Sequence, residues 1–108
     1  MPRQRFKTLT EQMFYILLCL QQERQGVDIL EAVRSLTGGR VSIGSGTLYD
    51  LLEQFLREGA IRETKVEGRR RSYLITEKGQ TMLDQEYRRL LDQAADYRRL
   101  CGKEDDTP

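Results

Sequence analysis

A chain of 108 residues, 38% apolar and 32% charged, fits one domain with a small core. No apolar run approaches the ~20 residues needed to cross a bilayer, and Met1-Pro2-Arg3-Gln4-Arg5 lacks the apolar centre of a signal peptide, so a cytoplasmic protein without a membrane partner is expected. With no histidine and only two distant cysteines, Cys19 and Cys101, the composition offers no zinc site, redox pair, imidazole base or Ser-His triad, and neither a metal, a cofactor nor an enzyme is expected.

The net charge of +1 hides an uneven distribution. Residues 1–7 carry Arg3, Arg5 and Lys7 without an acid, and residues 62–73 carry Arg62, Lys65, Arg69, Arg70 and Arg71 against Glu63 and Glu67. Each segment is locally cationic, and a phosphate backbone senses the local patch rather than the sum over the chain. The balancing acids lie elsewhere, notably in Glu104-Asp105-Asp106.

In chain order, Thr8-Leu9-Thr10-Glu11 fits a capping box that opens a first helix carrying Leu9, Met13, Ile16, Leu17 and Leu20 at helical spacing. A second helix starts near Gly26, sets Ile29, Leu30, Val33 and Leu36 on one side, and stops at Gly38-Gly39. Ser42 or Ser45 is expected to cap a third helix whose buried stripe is Leu48, Leu51, Leu52, Phe55 and Leu56, closed by Gly59. Two short runs around Glu67-Gly68-Arg69-Arg70 then read as a two-stranded hairpin. Thr76 caps a final helix in which Leu83, Tyr87, Leu90, Ala94, Tyr97 and Cys101 follow a heptad seam with Leu91 on its flank.

The pattern predicts an α+β, mainly helical fold: a winged helix-turn-helix of three helices and a two-stranded wing, with a long C-terminal helix. The expected division is a basic N-terminal arm over 1–7, the winged helix-turn-helix over 8–76, a dimerisation helix over 77–101 and a disordered acidic tail over 102–108. A chain this short buries a modest fraction of its surface, and one small domain cannot cover a seam that runs to Cys101. Docking on the protein's own first helix is the competing use of that seam; its length favours a second copy. The expected interface is Leu83, Tyr87, Leu90, Leu91, Ala94 and Tyr97.

Small and hydroxyl-bearing residues at the start of the third helix, Ser45, Gly46, Thr47 and Tyr49, leave room for a duplex and offer amides and hydroxyls to phosphate oxygens. Taken alone, Gly44 and Gly46 serve equally as turn residues, and Tyr49 as a packed ring. Lys65 and the hairpin-tip residues Arg69, Arg70 and Arg71 can reach a backbone phosphate or a narrow minor groove, or stand as a solvated charge run. A wing tip and a recognition-helix start lie on one side in this architecture, which makes double-stranded DNA the expected partner.

Gly46-Thr47-Leu48-Tyr49, then Leu52, Leu56, Glu58-Gly59 and Ile61, then Gly68-Arg69 with Arg71, Tyr73, Leu74, Thr76 and Gly79, resemble in order and spacing the PadR family of bacterial transcriptional regulators. The resemblance runs from Leu9 to Leu91. It implies a homodimer whose final helices pair, whose third helix enters the major groove and which represses transcription from a pseudo-palindromic operator. In several members small phenolic or drug-like compounds release the DNA; the residues here name no such effector and are equally compatible with a regulator that takes no small ligand. The chain departs from the family in three places. Asp50 stands where proline is common, Glu53 and Gln54 where basic residues are frequent, and Gln25-Gly26-Val27-Asp28 replaces histidine-glycine-tyrosine-glutamate. The carboxylates of Asp50 and Glu53 also suit a competing role, a winged-helix protein–protein interaction module without specific DNA binding.

Overall fold

A computed structural model describes residues 8–102; the basic arm and all but the first residue of the acidic tail lie outside the described residues. The element order is α1 (Glu11–Cys19), β1 (Arg24–Gln25), α2 (Gly26–Thr37), α3 (Ser45–Glu58), β2 (Ile61–Glu67), β3 (Arg70–Ile75) and α4 (Glu77–Cys101). The three strands form an antiparallel sheet in the order β1-β3-β2.

The capping box of α1 exists, but two residues further on than Thr8 to Glu11. Thr10 Oγ1 accepts the Met13 N–H at 3.1 Å, and Met13 Sδ accepts the Thr10 N–H at 3.4 Å. Leu9 is needed outside the helix: its side chain is buried, and its N–H donates to Glu86 Oε1 at 3.0 Å. At the other end Arg24 Nε donates to the Cys19 carbonyl at 2.7 Å, closing α1 and starting β1. Cys19 is buried, and burial raises its thiol pKa, as suits a small core hydrophobe.

The core is assembled from Ile16, Leu17 and Leu20 of and after α1, Ile29 and Val33 of α2, Leu48, Leu52 and Phe55 of α3, and Leu83 of α4. Leu36, expected on the buried side of α2, is 57% exposed, and Thr37 occupies the inner position instead. Thr37 Oγ1 donates to the Val33 carbonyl at 2.9 Å and accepts the Val41 N–H at 3.0 Å, so the hydroxyl fixes the α2–α3 turn at little desolvation cost. Gly38 closes α2 and Gly59 closes α3 in the left-handed conformation, as expected from sequence.

The hairpin turns on Gly68, whose φ of +65° suits the first position of a two-residue loop. Its irregular alternation has a cause. Glu63 faces Tyr73 and Lys65 faces Ser72, so Thr64 is an extra residue, a bulge that flips the side-chain order of β2 and sharpens its twist.

Thr76 caps α4 as expected, with Oγ1 accepting the Gly79 N–H at 3.1 Å and donating to the Gly59 carbonyl at 2.6 Å. A Cβ at Gly79 would lie 2.1 Å from the Ala60 carbonyl oxygen, so only glycine lets α4 start against the end of α3. Beyond Glu86 no described residue of α4 is buried. Glu86 itself is 4% exposed; its carboxylate holds Arg89 and the Leu9 N–H, and the Arg89 hydrogen bond leads in lowering its pKa.

Two substitutions test these contacts. Gly79→Ala is expected to lose about 1–3 kcal/mol of unfolding free energy, read as a lower urea midpoint, because the clash is with backbone that cannot swing aside. Because the folded-state pKa of Glu86 is depressed, its contribution is present above the unfolded carboxylate value of about 4.3 and lost as pH falls through the lower folded value. Glu86→Gln should therefore be less stable at neutral pH and lose less stability on acidification, seen as converging urea midpoints of variant and parent below about pH 4.

Candidate nucleic-acid interface

The start of α3 is open on every count that matters for an approaching polyanion. Its N-cap is Gly44, not Ser42 or Ser45, and no side chain caps it. The first backbone N–H groups of the helix therefore stay available, and the helix dipole adds positive potential there. Ser45, Gly46, Thr47, Tyr49 and Asp50 are all exposed. Neither Gly44 nor Gly46 has a positive φ, and a Cβ built on either meets nothing within 4 Å. The fold itself does not require glycine at these positions, and their smallness leaves space on the outside.

Tyr49, 48% exposed, reaches from α3 across the first residue of α2. A Cβ at Gly26 would stand 2.9 Å from Tyr49 Oη and 3.0 Å from Cε1, so the glycine makes room for the ring. α2 also begins without a side-chain cap, at Gln25. The cap residue Gln25 and the first helical residues Gly26 and Val27 line a concavity of about 220 Å³ with Tyr49, Tyr73 and the wing residues Arg69, Arg70 and Arg71. Sequence analysis missed this participation of α2. The one sequence signal for it was a glycine at a helix start, and its partner ring lies far along the chain.

The three wing arginines are not equivalent. Arg71 donates to Glu63 Oε2 at 2.8 Å across the hairpin, and that hydrogen bond leads in raising its pKa. The guanidinium groups of Arg69 and Arg70 are exposed and make no ion pair or hydrogen bond among the described residues. Lys65, exposed, faces Ser72 from β2. Tyr73 is buried behind the arginines, and burial leads in raising its phenol pKa, so it stays neutral there. The uncapped start of α2, the Tyr49 ring and two unengaged guanidinium groups thus share one concave face, an arrangement chemically suited to phosphate oxygens. Arg3, Arg5 and Lys7 of the arm lie outside the described residues.

The residues expected to meet a second copy lie elsewhere. Leu83 belongs to the protein's own core. Tyr87, Leu90, Leu91, Ala94 and Tyr97 are exposed along the bare half of α4, with Tyr97 at 56%. Among the described residues no group of three or more metal-ligating side chains occurs, and no helix is long and apolar enough to cross a membrane.

Comparison with known proteins agrees with this geometry. A family model described as the transcriptional regulator PadR-like family matches residues 16–85. Among solved structures, a PadR family transcriptional regulator from Eggerthella lenta superposes with a TM-score of 0.71 at 19% identity, over 86% of this chain and 83% of that one. H. salinarum RosR follows at 0.68 and 22%, over 81% of this chain and 78% of that one. A transcriptional regulator from Clostridium thermocellum, Cth-833, gives 0.66 and 23%, over 82% and 96%. At these identities the structural likeness is one of fold. No curated protein matches the chain.

Gly26→Ala tests the seating of Tyr49. The methyl group meets the far end of a side chain that can move, so stability is expected to stay within about 0.5 kcal/mol of the parent. The Tyr49 ring resonances should shift in the NMR spectrum as the ring leaves the start of α2.

Proposed function

The chain belongs to the PadR-like family of transcriptional regulators, and on that footing we propose that it acts as a homodimer, repressing transcription from a pseudo-palindromic operator in cytoplasmic DNA. Members of this family regulate transcription, so the chain is a DNA-binding regulator and not an enzyme. One observation supports the finer reading: Tyr49, in the first turns of α3, and the side chains of Arg69 and Arg70, which engage no other side chain, line one concavity. The wing holds phosphates and fixes register, while α3 lies in the major groove with its N-terminal half at the base edges.

The case for a second copy rests on α4. Fifteen residues, Tyr87 to Cys101, extend beyond the body, about 22 Å of helix. On one side they present Tyr87, Leu90, Leu91 and Tyr97 at 40–56% exposure. A contiguous apolar strip of this kind is rare on a monomer, and the same strip on a second copy covers it with two-fold symmetry. At the root of this strip a cavity of about 230 Å³ lies between α1 and α4, lined by Leu9, Phe14, Tyr15, Glu86, Arg89 and Leu90. It is the seat we assign to a small-molecule effector, where occupancy bears on the helix that pairs.

The test is binding to the protein's own promoter region and to a scrambled duplex across a salt titration, paired with a mass measurement in solution. Selective binding by a dimer is expected. Changing Arg69 and Arg70 to alanine should flatten the log-log salt slope by roughly 0.9 for each phosphate that is no longer neutralised. Arg71→Ala should flatten it less, since Glu63 already engages that guanidinium. Leu91→Glu should give a folded monomer, with helical circular dichroism retained and operator affinity abolished. Equal, weak binding to both duplexes would instead favour the protein–protein interaction module.

A further inference from the structure

The exposed face of α3 carries an acid that engages no other side chain. Leu48, Leu52 and Phe55 turn one side of the helix into the core, and Gly46, Asp50, Glu53 and Arg57, spaced four, three and four residues apart, run along the other. Tyr49 is drawn away to the start of α2. Glu53 lies 3.5 Å from Arg57 in an i,i+4 pair, so its charge has a partner on its own helix. The exposed carboxylate of Asp50 makes no hydrogen bond or ion pair among the described residues. Position 50 thus offers an unengaged carboxylate near the exposed Thr47 and one turn along from Gly46, where the backbone can come closest to the groove.

A carboxylate accepts hydrogen bonds and donates none. In the major groove it faces acceptors on guanine and on thymine, and it is repelled by phosphates on both sides, so it weakens binding wherever it is not matched. Cytosine offers the N4 donor that matches it. Adenine offers N6 but sets the N7 acceptor beside it, which suits a side chain that also donates, such as an asparagine or glutamine. An unpaired Asp on this face therefore costs affinity on arbitrary sequence and regains it at one base.

We propose that Asp50 is a specificity-determining residue that selects cytosine at one position in each half-site by accepting a hydrogen bond from its N4 amino group. This rests on the proposed placement of α3 in the major groove, and it adds the base that the helix selects.

The experiment is selection from a randomised duplex pool by the full-length protein, its Asp50→Ala and Asp50→Asn variants, and a variant with Arg69 and Arg70 changed to alanine. The expected parent consensus holds a cytosine at one symmetric position, preferred about tenfold over the other bases. Asp50→Ala should lose that preference while binding random duplex more tightly, and Asp50→Asn should move it to adenine. The wing variant should bind every sequence more weakly with the consensus unchanged. A parent consensus that persists unaltered in Asp50→Ala, or that has no cytosine at the position where the variants differ, overturns the assignment while leaving the regulator reading intact. A parent that selects no sequence at all overturns both. Position 50 is exposed on a helix, so circular dichroism melts of the variants are expected to match the parent and exclude misfolding as a cause.

Discussion

The concave face proposed to meet DNA depends on the pairing of two residues. Arg24 faces Tyr73 and Gln25 faces Ser72, so β3 is held between β1 and β2 rather than lying at an edge. A hairpin attached only through its own turn would be free to swing. Here the strand that carries Arg70 and Arg71 is also bonded to the two residues that immediately precede α2. The Ile75 N–H donates to the Leu20 carbonyl at 2.9 Å and fixes the far end of β3 to the end of α1. The start of α2, the ring of Tyr49 and the wing arginines meet in one concavity because the sheet leaves them no other arrangement.

The same restraint explains how a chain with a net charge of +1 can present a phosphate-binding face. Association with a polyanion is governed by the potential where contact is made, and the sheet sets the three consecutive arginines of the wing beside the start of α2. Arg71 gives up part of its reach to Glu63, and that ion pair, formed across the hairpin beside the bulge, directs the strand that carries its neighbours. A mostly exposed pair of this kind adds little stability. Its value lies in orientation, leaving Arg69 and Arg70 at the tip for a ligand. The acids of α3 work in the opposite sense, so in the proposed complex affinity falls to the wing and the helix starts and discrimination to α3.

What could be read from the sequence follows from where each signal resides. Helix starts and stops that depend on one residue were legible: Gly38, Gly59 and Thr76 all act as expected. Signals settled by distant partners were not. Thr8 and Thr10 are equivalent as local caps, and the choice between them is made by Glu86, which takes the Leu9 N–H from across the fold. Leu36 satisfies the helical period, yet Thr37 goes inside because its hydroxyl can bond two backbone groups of the turn. β1 has two residues, too few to show any period, and exists only because β3 lies beside it. The heptad of α4 is continuous in sequence but divided in space: Leu83 is core, and every later member is bare.

That division assigns α4 two roles along its length. Its first turns are part of the body, since Gly79 lies against Ala60, Leu83 enters the core and Glu86 holds the start of α1. Only Thr76 separates β3 from α4, so the helix leaves the sheet in a fixed direction rather than through a linker. In the proposed dimer the geometry of helix pairing is therefore transmitted to the spacing of the two wings without an intervening flexible joint. The 25 residues of α4 span about 37 Å, comparable with the roughly 34–36 Å that separates half-sites one turn of duplex apart. Glu86 and Leu90 line the cavity at the point where body gives way to bare helix. In the proposed dimer an effector seated there would bear on the direction of α4, and because only Thr76 lies between α4 and β3, a change in that direction would become a change in wing spacing.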